Sequence, residues 1–115
     1  VVAASCLETL KILTEGDIIP QTLEKEKLFR KYLVHPSILE IRGMGLMLAP
    51  MFASDRTPVK LMKRLLDKGV ITFLLLYEKR ALRLSPPLTI SAEEIEYGCR
   101  MICETLDEMV KDGDI

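Results

Sequence analysis

A chain of 115 residues, 49% apolar and 29% charged, suffices for one globular domain and is too apolar to be disordered. A net charge of −1, with basic residues scattered among acidic ones, argues against a nucleic-acid or anionic-membrane binder. No run approaches the ~18 apolar residues of a membrane span and no signal peptide is recognisable, so a cytoplasmic protein is expected.

The chain opens at Val1 without a methionine. Val1-Val2-Ala3-Ala4-Ser5-Cys6-Leu7 reads as mid-helix, with no capping residue before it. A piece of a longer polypeptide is the expectation, with residues 1–115 forming one domain of it. The pattern predicts a helix from Val2 to Leu13, apolar along Cys6, Leu7, Leu10 and Leu13, ending at Gly16-Asp17. A second helix is predicted from Ile18 to about Leu33, with Pro20 in its first turn and a stripe of Leu28, Phe29, Tyr32 and Leu33. Glu24-Lys25-Glu26-Lys27 reads as its solvated side, without functional weight. His35-Pro36-Ser37 is a break. His35, the only histidine, has no partner at a suggestive spacing and reads as a loop residue rather than a general base.

Ile38 to Leu48 predicts one strand, with Arg42-Gly43-Met44-Gly45 as a bulge or close approach and Pro50 at an edge or strand end. A phosphate-cradling loop is the weaker reading, for want of a third glycine and a following helix. Thr57-Pro58 fits N-cap and first position of a third helix. Val59, Met62, Leu65 and Leu66 are expected inward, Lys60, Lys63, Arg64, Asp67 and Lys68 outward, and Gly69 just past the end. Val70 to Leu76 reads as a buried strand. Ala81 to Ser85 returns as a hairpin partner, with Leu82 and Leu84 on one face and Arg83 and Ser85 on the other. Pro86-Pro87 stops it. Ser91 and Glu94 have capping-box spacing and open a last helix, Ala92 to about Val110. Cys6, Cys99 and Cys103 form no metal-ligand or disulfide pattern and are expected to be buried thiols.

The fold expected is α+β, a small mixed or antiparallel sheet of about three strands with helices on one face. No elbow, metal cluster or phosphate loop is visible, so the residues alone indicate a domain of unstated role. Arg83 is the candidate site residue, because a planar fixed charge on a strand beside a proline corner suits a carboxylate. It is equally suited to be a solvent-facing charge.

From Val2 to Val110 the chain resembles the C-terminal small domain of the class III (ornithine/acetylornithine-type) aminotransferases, pyridoxal-phosphate enzymes of fold type I. The resemblance is carried by Glu40-Ile41-Arg42-Gly43-Met44-Gly45-Leu46-Met47 and by Leu65-Leu66-Asp67-Lys68-Gly69-Val70. It continues through Leu82-Arg83-Leu84-Ser85-Pro86-Pro87-Leu88-Thr89-Ile90 and Glu93-Glu94-Ile95. It implies that Arg83 binds the substrate carboxylate and that the parent is a homodimer moving an amino group from an amino acid or amine to a 2-oxo acid. It implies that pyridoxal phosphate and its Schiff-base lysine belong to a large domain elsewhere in the parent. These residues alone should then be inactive, with no catalytic, cofactor or metal ligand among them. Arg42 and its glycines should be structural, and residues 74–80 should influence substrate preference. The alternative is a free-standing small-carboxylate-binding or assembly module without catalysis.

Overall fold

Ser91 starts the last helix with both halves of a capping box: its Oγ accepts from the Glu94 N–H at 3.2 Å, and Glu94 Oε2 accepts from the Ser91 N–H at 3.1 Å. In this computed structural model, which describes residues 1–115, the elements run α1 (Val2–Glu15), α2 (Ile18–Tyr32), β1 (Glu40–Met44), β2 (Met47–Met51), α3 (Arg56–Asp67), β3 (Phe73–Leu74), β4 (Leu82–Arg83) and α4 (Ala92–Lys111). α4 is the spine. Ile95, Cys99, Ile102, Leu106 and Met109 recur at helical spacing and are all buried. They meet Phe29 and Leu33 at the end of α2, Leu61 and Leu65 of α3, and Leu48, Phe52, Leu82 and Leu84 from the strand layer, in one continuous core.

The strand layer corrects two expectations. Residues 38–48 are not one bulged strand. β1 and β2 form a tight antiparallel hairpin from Glu40↔Met51 to Met44↔Met47, turning at Gly45-Leu46. Gly45 has φ 59 and Leu46 does not have a positive φ, the pattern of a turn whose first central residue is left-handed. Only glycine takes that position without cost. The second correction concerns Val70–Leu76. Just Phe73 and Leu74 pair, with Arg83 and Leu82, and both are exposed. An unbroken apolar run carries no period, so it cannot say which face is covered.

Pro50 acts on the other side of its strand from the hairpin. Leu48 and Phe52 donate their N–H groups at 2.9 Å to Leu84 and Arg80 respectively. Pro50 lies between them and has no N–H to donate. The β1–β2 and β3–β4 pairs are therefore joined only by isolated bridges, Leu48↔Leu84 and Met51↔Ala81.

Three further readings shift. α3 begins at Arg56 behind Asp55, two residues before the expected Thr57 cap, and Ser54 Oγ accepts from the Arg56 N–H at 3.2 Å. Pro58 still falls within the first turn, where a missing N–H costs nothing. Leu66 is exposed, and Leu61 takes the inward place. The basic face of α3 is not free in solvent: Arg64 bonds Asp112 at 2.8 Å and Asp114 at 2.5 Å, Lys60 bonds Asp114 at 2.8 Å, and Lys68 bonds Glu108 at 2.7 Å. These bonds pin the tail of the chain across α3. The Lys60 hydrogen bond, helped by Arg64, holds the Asp114 carboxyl below the usual aspartate range. A depressed carboxyl stabilises the fold above the ordinary range and loses that contribution as pH falls through the folded value. Carbon-13 shifts of the Asp114 carboxyl will titrate below the 3.8 of a free aspartate; a midpoint at or above it contradicts the clamp.

α1 has the expected amphipathic pattern but no buried residue, so its apolar face contributes nothing to the core. Cys6 is accordingly exposed, against the expectation of burial, while Cys99 is buried and Cys103 half-buried. Burial pushes the Cys99 thiol up to about 12. Iodoacetamide at neutral pH will label Cys6 first and Cys99 only on unfolding. Equal labelling of Cys6 and Cys99 in the folded protein would contradict this core.

Candidate functional site

β4 alternates as its sequence predicts: Leu82 and Leu84 are buried, and Arg83 and Ser85 face outward. Arg83 Nε donates to Ser85 Oγ at 3.1 Å. The guanidinium carbon lies 5.6 Å from the ring centroid of Phe73, its partner across the β3–β4 pair. The two terminal nitrogens make no protein hydrogen bond. Among seven arginines, only Arg56 and Arg83 have no carboxylate partner.

Arg83, Leu84 and Ser85 stand between two hollows. One, about 430 Å³, runs past Phe73 toward Glu94 and Tyr97. The other, about 290 Å³, runs toward Arg42, Met47, Leu75 and Glu78. The other charges beside the smaller hollow are already engaged. Arg42 Nε bonds Glu40 at 2.6 Å. Arg80 bonds Glu78 at 3.1 Å and holds its carboxyl below the usual range. Arg83 is the one cation in either hollow that forms no ion pair. A larger groove of about 730 Å³ lies between Arg56, Lys60, Lys63, Lys79 and Leu74–Leu76, away from Arg83.

The corner after Arg83 is fastened from α2. Lys25 Nζ donates to the Leu88 carbonyl at 2.5 Å, directly beyond Pro86-Pro87. Glu26 Oε1 accepts from the Gly45 N–H at 2.5 Å, and Glu26 Oε2 from Arg30 Nε at 2.9 Å. Those two bonds, with Arg30 first, hold the Glu26 carboxyl below its usual range. The run Glu24–Lys27 is therefore half structural, a role that a local charge pattern cannot disclose. His35 does have a partner: its Nε2 lies 3.0 Å from Asp107 Oδ1, and its Nδ1 accepts from the Ser37 N–H at 3.0 Å. It lines neither Arg83 hollow. The sequence pattern does not single out Phe73, although its place opposite Arg83 follows from the hairpin register.

A family model described as "Aminotransferase class-III" matches residues 1–106. The chain belongs to the class III aminotransferases. The acetylornithine aminotransferase of Haemophilus ducreyi is 31% identical over 108 residues, 91% of this chain and 27% of its own length. The ornithine aminotransferase of Bordetella pertussis is 30% identical over 100 residues, 84% of this chain and 24% of its own. A crystal structure of ornithine aminotransferase from Toxoplasma gondii ME49 superposes with a TM-score of 0.79 at 26% identity, covering 92% of this chain and 26% of that one. The chain thus spans about a quarter of the length of the curated relatives it matches.

Class III aminotransferases imply pyridoxal phosphate, and the two hollows beside Arg83 do not fit it. The cofactor needs an amine to form an imine, an acid for its ring nitrogen and a cradle for its phosphate. Neither Arg83 hollow has a lysine in its lining. In the larger groove, Lys60 is bound to Asp114, and Lys63 and Lys79 are exposed. No helix of this class III aminotransferase chain is long and apolar enough to cross a membrane.

Proposed function

We propose that these 115 residues are the C-terminal small domain of a cytoplasmic class III aminotransferase, and that Arg83 binds the carboxylate of its amino acid or 2-oxo acid substrate. The observation that carries the reading is Arg83 itself. It is a strand-mounted guanidinium with both terminal nitrogens free and no ion pair to an acid, in a chain of this family. A fork of this kind takes a carboxylate through two parallel N–H···O bonds. Amino transfer between an amino donor and a 2-oxo acid is the activity proposed for the parent enzyme. Pyridoxal phosphate would supply the electron sink and be held outside these residues, in a larger domain of the same polypeptide, with two copies forming a homodimer. The chain's own part is to hold the substrate by its carboxylate and cover it.

The test compares amino transfer to pyruvate by this chain alone and by the complete polypeptide that carries it. Activity is expected only from the complete polypeptide, and Arg83→Ala there should raise KM for the 2-oxo acid. Amino transfer by the chain alone would overturn the assignment, and so would an inactive complete polypeptide that binds pyridoxal phosphate normally.

A further inference from the structure

The free part of Arg83 is defined by what holds the rest of it. A guanidinium presents one N–H on Nε and four on its two terminal nitrogens. It can therefore meet a carboxylate side-on, through Nε and one terminal nitrogen, or end-on, through both terminal nitrogens. Here the Nε–H is spent on Ser85 Oγ at 3.1 Å. One face of the guanidinium plane is covered by the Phe73 ring, with 5.6 Å between guanidinium carbon and centroid. The hydrogen bond fixes rotation about the last side-chain bonds, and the ring fixes the plane.

Both contacts come from the backbone arrangement. Ser85 lies two residues after Arg83, on the same face of the extended segment. Phe73 is paired with Arg83 across the ladder. Phe73 remains 54% exposed, so it adds little to the core. Its contact with Arg83 lies within the roughly 6 Å at which a cation is drawn to a ring face. Arginine has a long, rotamer-rich side chain, and at an exposed position it is ordered only by such contacts.

We infer that Ser85 and Phe73 are positioning residues that present Arg83 to a substrate carboxylate end-on. The inference rests on the proposed role of Arg83 and adds how the fork is aimed. The side-on mode would require breaking the Ser85 bond. The end-on mode uses one free N–H on each terminal nitrogen and leaves the Ser85 bond in place.

Titration of the complete polypeptide, nitrogen-15-labelled, with pyruvate, read at the arginine side-chain signals, tests this. In the wild type, saturable shifts are expected at the terminal nitrogens of Arg83, while its Nε–H signal holds its position. Ser85→Ala and Phe73→Ala should each weaken binding about two- to fivefold, the scale of one exposed cation–ring or hydrogen-bond contact. Phe73→Tyr should restore it. Ser85→Ala should also make the Nε signal respond to pyruvate, because side-on binding becomes open. Both residues are exposed, and an unchanged backbone amide spectrum will show that the variants fold. If wild type binds, Arg83→Ala does not, and the Ser85 and Phe73 variants bind as wild type, the positioning role is overturned and the carboxylate site stands. A wild-type Nε shift as large as those of the terminal nitrogens also overturns it. If the wild type does not bind, or Arg83→Ala binds equally well, the proposed function of Arg83 fails first and this inference with it.

Discussion

Arg83→Lys, in the complete polypeptide, will weaken binding of a 2-oxo acid by about 10- to 100-fold, although it preserves the charge. A charge-assisted hydrogen bond contributes roughly 1.5–3 kcal/mol, and each 1.4 kcal/mol is about tenfold in affinity. Charge alone is worth little at an exposed position, where water and salt screen it. What the substitution removes is geometry. A lysine has no Nε–H for Ser85 Oγ, no planar face for Phe73 and no pair of parallel donors for the two carboxylate oxygens. Calorimetric titration with pyruvate, with Arg56→Lys as the control, is the measurement. Arg56 also has no acid partner but lines the groove away from Arg83. Equal affinity of Arg83→Lys and wild type would show that the fork is not the ligand. An equal loss in the control would show that the effect is not local.

The residues that frame this site differed in how readable they were. Leu82, Arg83, Leu84 and Ser85 alternate, and the ensuing prolines end the strand. Local sequence therefore fixes which side chains face out. The capping box at Ser91 and the spacing from Ile95 to Met109 are also local and periodic, and α4 formed as expected. Val70–Leu76 misleads because hydrophobicity without a period gives no face. Its two paired residues are set by what β4 offers, not by their own letters. Lys25 and Glu26 were invisible for a different reason: their partners lie 63 and 19 residues away, at Leu88 and Gly45. The α1 stripe was legible as a pattern, but a pattern does not say whether anything covers it. Ser85 is legible as a neighbour of Arg83, and pairing the two runs residue by residue sets Phe73 opposite Arg83.

Gly43→Ala will lower the stability of the chain by about 2–3 kcal/mol, from backbone strain and a clash together. Gly43 has φ 115, outside the range that an L side chain tolerates. A Cβ there would overlap the carbonyl oxygen of Met47, on the facing strand of the hairpin. That obstacle is backbone and cannot rotate aside. Gly45 provides the comparison. Its φ is 59, and the nearest atoms to an added Cβ are 3.6 Å away on Thr22. Gly45→Ala should cost about 1 kcal/mol, the ordinary penalty of a left-handed alanine. Urea unfolding of the two variants, side by side, checks the difference. Equal midpoints would mean that the hairpin yields at Gly43. The proposed site should feel the lesion too, because Gly43 lines the smaller of the hollows beside Arg83.

Lys25 and Glu26 are adjacent in α2, yet one holds the segment beyond Pro86-Pro87 and the other holds the turn of the β1–β2 hairpin. Both loops are thereby bolted to a single turn of one helix. Hairpin, corner and α2 are tied to one another in this way, and Arg83 lies just before the tied corner. In the function proposed above, a movement that carries Arg83 toward a substrate would have to carry the hairpin and the proline corner with it or break the bonds from Lys25 and Glu26.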